Sequence, residues 1–229
     1  MKKIFKQCHS SNYKKGRTSD IKYIVIHYTA NNGDTAKNNV DYYASTKVGA
    51  SAHYFVDEYD AVYQSFPDAD TAWAVGGTSS YKHPHCRNAN SISIEMCSRN
   101  KNGSGRSSTD DGWYFKEETI KNAVALTKEL MAKYNIPVER VIRHYDVTGK
   151  ICPAPFANDV TLWNDFKKRL TETTEVTELT TINDIVWELG HRGIVSDKEG
   201  MINEMTQHPN GRLYWLGRKA VNYMRGKGI

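Results

Sequence analysis

The chain has 229 residues, 25% charged and 39% hydrophobic, enough for one well-packed domain with a smaller companion and too apolar to stay unfolded. Its formal net charge of +5 favours anionic partners (nucleic acid, an anionic wall or a membrane surface) without choosing among them, and no Lys/Arg run is interleaved with aromatics as a nucleic-acid groove requires. No apolar run nears the roughly 18 residues of a membrane span. Four cysteines (Cys8, Cys86, Cys97, Cys152) are too few and too dispersed for a disulfide scaffold.

The basic start Met1–Gln7 is followed by polar residues rather than an apolar signal core, so the expectation is cytoplasmic synthesis, with any extracellular role needing another export route. Residues 1–20 show no periodicity and read as an irregular arm. Residues 22–28 read as a buried strand, with Tyr23, Val25 and His27 on one face and Ile24, Ile26 and Tyr28 on the other. Asp34 is a plausible N-cap for a short amphipathic helix over 35–46. Residues 51–56 and 61–66 suggest two strands joined by the turn 57–60, with His53 read mostly as a non-ligand.

Residues 67–90 are loop-rich, and His83, His85 and Cys86 there form only a weak metal motif because a proline interrupts them. Ser91–Cys97 alternates as a strand with Ile92, Ile94 and Met96 on one face. Its other face carries Glu95, and a carboxylate in mid-strand implies either solvent or a polar groove. A long polar loop over 98–112 precedes a helix of about five turns from Lys116 to Tyr134. Pro137 ends that helix, a strand over 138–143 follows, and Phe156–Leu170 forms a closing helix.

The chemistry centres on Ile142–Pro153, where His144, Lys150 and Cys152 fall within nine residues. Imidazole and thiolate are the donors that zinc selects, and a catalytic zinc keeps three protein ligands and one open position. His27, at the end of its apolar strand, is the best third donor. These readings predict an α/β domain over 1–170, a central mixed β-sheet flanked by helices. A Thr/Glu-rich linker over 171–181 and a small all-helical C-terminal domain over 182–229 follow.

Five segments, in order, resemble the zinc-dependent N-acetylmuramoyl-L-alanine amidases of the type-2 class, which include phage endolysins and peptidoglycan-recognition proteins. They are Ile24–Thr29, Ser51–Val56, Ala72–Gly76, Ser93–Glu95 and His144–Pro153. The resemblance implies Zn2+ held by His27, His144 and Cys152, Glu95 as the acid/base and Lys150 as the oxyanion stabiliser. Ala52 stands where other members place a tyrosine, which puts the chain in the glutamate-using subset. Ala74 stands where the family often has histidine. The implied reaction is cleavage between N-acetylmuramic acid and the L-alanine of the stem peptide in a Gram-positive-type peptidoglycan, as in endolysin-driven lysis. The alternatives are a non-catalytic muropeptide-binding module and a cytosolic muropeptide-recycling amidase, with no nucleic acid or membrane as partner.

Residues 182–229 carry seven Lys/Arg against five Asp/Glu, with Trp187, Tyr214, Trp215 and Tyr223 among them. That composition fits wall targeting, and the helical spacing fits self-association. The expected outcome is co-sedimentation of an isolated 178–229 fragment with purified walls. A fragment left in the supernatant removes the targeting role.

Overall fold

Parallel pairing of three short strands at the middle of a six-stranded sheet sets the architecture. The computed structural model describes residues 2–59, 61–76 and 80–172. The expected linker and helical module beyond Glu172 lie outside the described residues. The strands are β1 (Lys2–Phe5), β2 (Tyr13–Lys14), β3 (Tyr23–Tyr28), β4 (Tyr54–Val56), β5 (Ala61–Gln64), β6 (Thr71–Ala72), β7 (Ser91–Met96), β8 (Arg99–Asn100), β9 (Trp113–Tyr114) and β10 (Val141–Arg143). The helices are α1 (Ala36–Ser45), α2 (Glu117–Tyr134), α3 (His144–Thr148), α4 (Ala154–Asn158) and α5 (Val160–Thr171).

The main sheet runs β1-β5-β4-β7-β3-β10, parallel at every step except β4 against β5. A parallel sheet must be covered on both faces, which is why β3 is buried at every residue and reads as a continuous apolar run. Ile24, Ile26, Ile92, Ile94 and Met96 pack with Leu126 and Leu130 of α2 and Phe166 of α5. On the opposite face Val25 joins Ile142 and Val147, while Phe55 and Cys97 meet Ala36 and Val40 of α1. The alternation expected for β3 and β7 is therefore the one observed. Helix α2 starts with Glu117 and Glu118, which suit the positive end of its dipole, and ends on left-handed Asn135 just before Pro137.

Several local expectations change. The first twenty residues are not an irregular arm: β1 extends the sheet beside β5, and β2 pairs antiparallel with β6. Their polar side chains hid this, because β1 is an edge strand with mostly exposed residues. The cap of α1 is Thr35, in a reciprocal capping box with Asn38. Asp34 is instead engaged by Asn39 Nδ2 at 2.7 Å and faces Arg99 at 3.7 Å. The loop after β7 contains the β8–β9 hairpin, and the closing helix divides into α4 and α5. Strand β10 is only three residues long, following a single 3-10 turn at Val138–Arg140.

Buried Asn12 shows what the N-terminal segment does. Its Nδ2 donates to the carbonyls of Tyr43 (3.0 Å) and Thr46 (2.7 Å), and its Oδ1 accepts from the amides of Val48 (2.7 Å) and Gly49 (3.0 Å). One side chain thus ties the end of α1 to the loop that follows it. Asn12→Ala strands several backbone groups and is expected to cost about 2–3 kcal/mol in a urea titration. A loss below about 0.5 kcal/mol would show that water takes over those bonds.

Candidate metal centre and catalytic cleft

The parallel register delivers the functional side chains together. His27 is the penultimate residue of β3 and Glu95 the penultimate residue of β7, and the two are register partners. On the other side of β3, β10 ends at Arg143 and the next residue, His144, opens α3. Three adjoining parallel strands therefore present their carboxyl ends at one place, where ligands of open α/β sheets bind.

Cys152 arrives by a tight return. Helix α3 stops at Gly149 in the left-handed region (φ 84°), where an added Cβ would lie 2.5 Å from the Lys82 side chain. The amide of Tyr145 then donates to the Cys152 carbonyl at 2.7 Å, folding the segment back over the site.

His27, His144 and Cys152 are all buried, and their candidate donor atoms lie within 4.8 Å of one another. The Cys152 Sγ is 3.7 Å from His27 Nδ1, and the two imidazole centroids are 4.8 Å apart. A tetrahedral zinc-type ion spaces such donors by roughly 3.3–3.6 Å, so a small inward movement completes the geometry. His27 Nε2 and both ring nitrogens of His144 are buried with no hydrogen-bond partner. Burial, the His144 charge and the Lys150 charge hold His27 well below the usual histidine range, and burial and Lys150 bring His144 down to about 4. Both rings are therefore neutral near pH 7, which is the ligating form.

Burial raises the Cys152 thiol and the Glu95 charge adds to it, while the Tyr28 backbone N–H and Lys150 pull it back. A cation would supply the compensation that a buried thiolate lacks. The residues fit a metal ion. Among the described residues this is the one cluster of three such donors.

Glu95 Oε2 is also buried without a partner, and burial lifts the carboxyl to about 8 against the lowering effect of Lys150. Lys150 is exposed at the mouth of the cleft and lines it beside His144. His83, His85 and Cys86 do not gather as ligands: His83 Nδ1 accepts the amides of His85 (3.1 Å) and Cys86 (2.9 Å), closing a turn.

His53 is structural here. Its Nδ1 accepts the Ser93 amide at 3.1 Å and its own amide donates to the Ser93 carbonyl at 3.1 Å, so the ring replaces a ladder bond two residues before Glu95. Its Nε2 lies 2.6 Å from the Arg17 guanidinium and 3.2 Å from the Asp70 carbonyl. Sequence reasoning missed Asn39 on α1 and Ser51 before β4, both of which line the cleft. Neither stands out in the sequence, since a polar residue on an amphipathic helix or in a turn signals only solvent.

A mixed sheet with a buried His–His–Cys set and an adjacent carboxylate at its strand ends defines a metal-site α/β domain. The family model for N-acetylmuramoyl-L-alanine amidase matches residues 17–155, and the chain belongs to that family. It is 35% identical over 163 residues to the N-acetylmuramoyl-L-alanine amidase CwlL of Bacillus licheniformis, covering 67% of this chain and 42% of CwlL. The chain thus spans less than half the length of that relative. Among solved structures, a mutant of PlyL superposes with a TM-score of 0.60 at 28% identity, covering 76% of this chain and 100% of that one. The catalytic domain of XlyA gives 0.58 at 27% identity, covering 74% and 99%.

Burial, with the nearby Arg17 charge, holds His53 down to about 3. An unfolded histidine titrates near 6.5, so between those values the unfolded chain binds the extra proton. Stability from this group is complete above pH 6.5 and falls as pH drops towards 3, by on the order of 1 kcal/mol per pH unit. Urea titrations of metal-free wild type and His53→Asn across this range should differ by that slope. Parallel lines would mean that His53 protonates equally in both states.

Proposed function

We propose that this chain is a zinc-dependent amidase that hydrolyses the bond between the lactyl group of N-acetylmuramic acid and the L-alanine of the stem peptide. The substrate is peptidoglycan of the Gram-positive type, reached at the wall after release from the cytoplasm. The observation that carries the reading is the pairing of a buried three-donor metal set with an unpartnered carboxyl, His27 against Glu95, in a chain of the amidase family.

Amide hydrolysis needs an activated water, a polarised carbonyl and a proton for the leaving amine. Zinc, when bound, supplies Lewis-acid polarisation and lowers the pKa of water. Neutral His27 and His144 and the Cys152 thiolate would hold it. Glu95 would accept the proton of the attacking water and hand it to the departing nitrogen. Lys150 would stabilise the negative charge building on the carbonyl oxygen, a contribution of about 3–4 kcal/mol for a well-placed donor. The products balance: the acyl carbon gains a hydroxyl and becomes the lactyl carboxylate, and the stem peptide gains a free L-alanine amino terminus.

Purified walls treated with the enzyme should release new L-alanine amino termini. Release should stop with chelator and return with zinc. Glu95→Gln keeps the side-chain shape and should lower the rate at least a hundredfold with zinc still bound. Wall binding without release of amino termini would move the chain to the recognition class. Full activity in Glu95→Gln would remove the acid/base assignment alone.

A further inference from the structure

Two of the three donors come from one short stretch with little regular structure of its own. His144 opens the five-residue helix α3, and Cys152 lies just before α4. A metal-binding histidine ordinarily fixes its ring by a hydrogen bond from its second nitrogen. His144 has such a partner at neither nitrogen, and His27 has none at Nε2. The rings are therefore aimed by the frame that carries them.

Arg143 is placed to hold that frame at three points. Its backbone pairs in register with Ile26, the residue before His27. It is itself the residue before His144. Its Nη1 donates to the carbonyl of Phe156, four residues beyond Cys152, at 2.8 Å. Neighbours of all three donors thus meet at one residue.

The other edge of the guanidinium is taken by Asp146. Nε and Nη2 donate to its two carboxylate oxygens at 3.1 and 2.7 Å, and Oδ2 also accepts the Arg143 backbone N–H at 2.8 Å. The carboxylate closes the first turn of α3 while it fixes the fork. The guanidinium carbon lies 5.2 Å from the Tyr145 ring centroid and 5.4 Å from that of Trp163, and the side chain is only 12% exposed. Phe156 is a firm anchor, because its ring packs against Phe115, Trp163 and Phe166 in the core. Binding a carboxylate with one edge and a carbonyl with another, beside two aromatic rings, is a task for a planar fork that lysine cannot match. Asp146 balances the charge, so the clasp acts on the donors through geometry rather than through its field.

We propose that Arg143 is a positioning residue for the metal centre. On the metal-donor reading of His27, His144 and Cys152, on which this step rests, the clasp with Asp146 and the Phe156 carbonyl sets the spacing of His144 and Cys152 relative to His27 before a metal arrives. It stands in for the hydrogen bonds that the two imidazoles lack.

The test measures metal binding by the full chain. Competition with a chromogenic chelator gives the zinc affinity, the absorption bands of the cobalt-loaded protein report the donor geometry, and urea titration gives the metal-free stability. Arg143→Lys keeps the charge and loses the fork. Asp146→Asn keeps the shape, leaves Arg143 in place and loses the charged acceptor, so the clasp is tested from both sides. Each variant should fold without metal, bind zinc about ten- to a hundredfold more weakly and shift the cobalt bands. Wild-type zinc affinity in both variants overturns the proposal. So does weaker binding with unchanged cobalt bands, since a merely looser fold binds less metal in the same geometry. A wild type that binds neither ion would sink the metal reading and this step with it, whereas a metal-binding wild type matched by both variants sinks this step alone.

Discussion

The structure depends on the parallel pairing of β7, β3 and β10. Parallel strands share a direction, so their carboxyl ends lie side by side, and each brings one residue to the same spot: Glu95, His27 and His144. No loop has to be held in an unusual shape to assemble them. The ladder and the two packed faces do it, and a one-residue slip of β7 would turn Glu95 to the opposite face, against α2. Only Cys152 needs a separate device, the αL stop at Gly149 and the return bond to Tyr145.

Electrostatics makes the same point from the side of cost. Two neutral imidazoles, a thiol and a carboxyl with an unpartnered oxygen sit together with little water, and a protein that only needed stability would fill the space with apolar side chains. The thiol and the carboxyl ionise to anions, and Lys150 at the mouth compensates only part of that charge. A divalent cation among the three donors would give each imidazole a partner, stabilise the thiolate and lower the penalty on ionised Glu95 at once. The site is built at the expense of the metal-free fold.

Around this centre, polar side chains do the work that backbone ladders cannot. Asn12 holds the turn at residues 46–49, Asn88 and Ser51 hold the Trp73 segment, and His53 completes the edge of β4 against β7. Each ties backbone groups of separate segments together without extending the sheet. The groove has one narrow and one wide lobe, with His144 at the junction.

Legibility in the sequence divides along the range of the interactions. The alternation in β3 and β7, the five-turn pattern of α2 and the soft-donor stretch from His144 to Cys152 are local, and each was readable because adjacent residues carry the whole signal. The chain by itself therefore determined the element types, the donor chemistry and the presence of a carboxylate in mid-strand. Tertiary structure alone decided that Lys2–Phe5 joins the sheet, that Thr35 rather than Asp34 caps α1, how His53 is held, and that His27 meets Cys152. In each case the deciding partner lies far along the chain or on another element: Gln64 for Phe5, Asn39 and Arg99 for Asp34, Ser93 for His53, Cys152 for His27. Polar residues such as Asn39 read as solvated in sequence because solvent and a cleft wall select the same side chains, and only the packing of distant segments tells them apart.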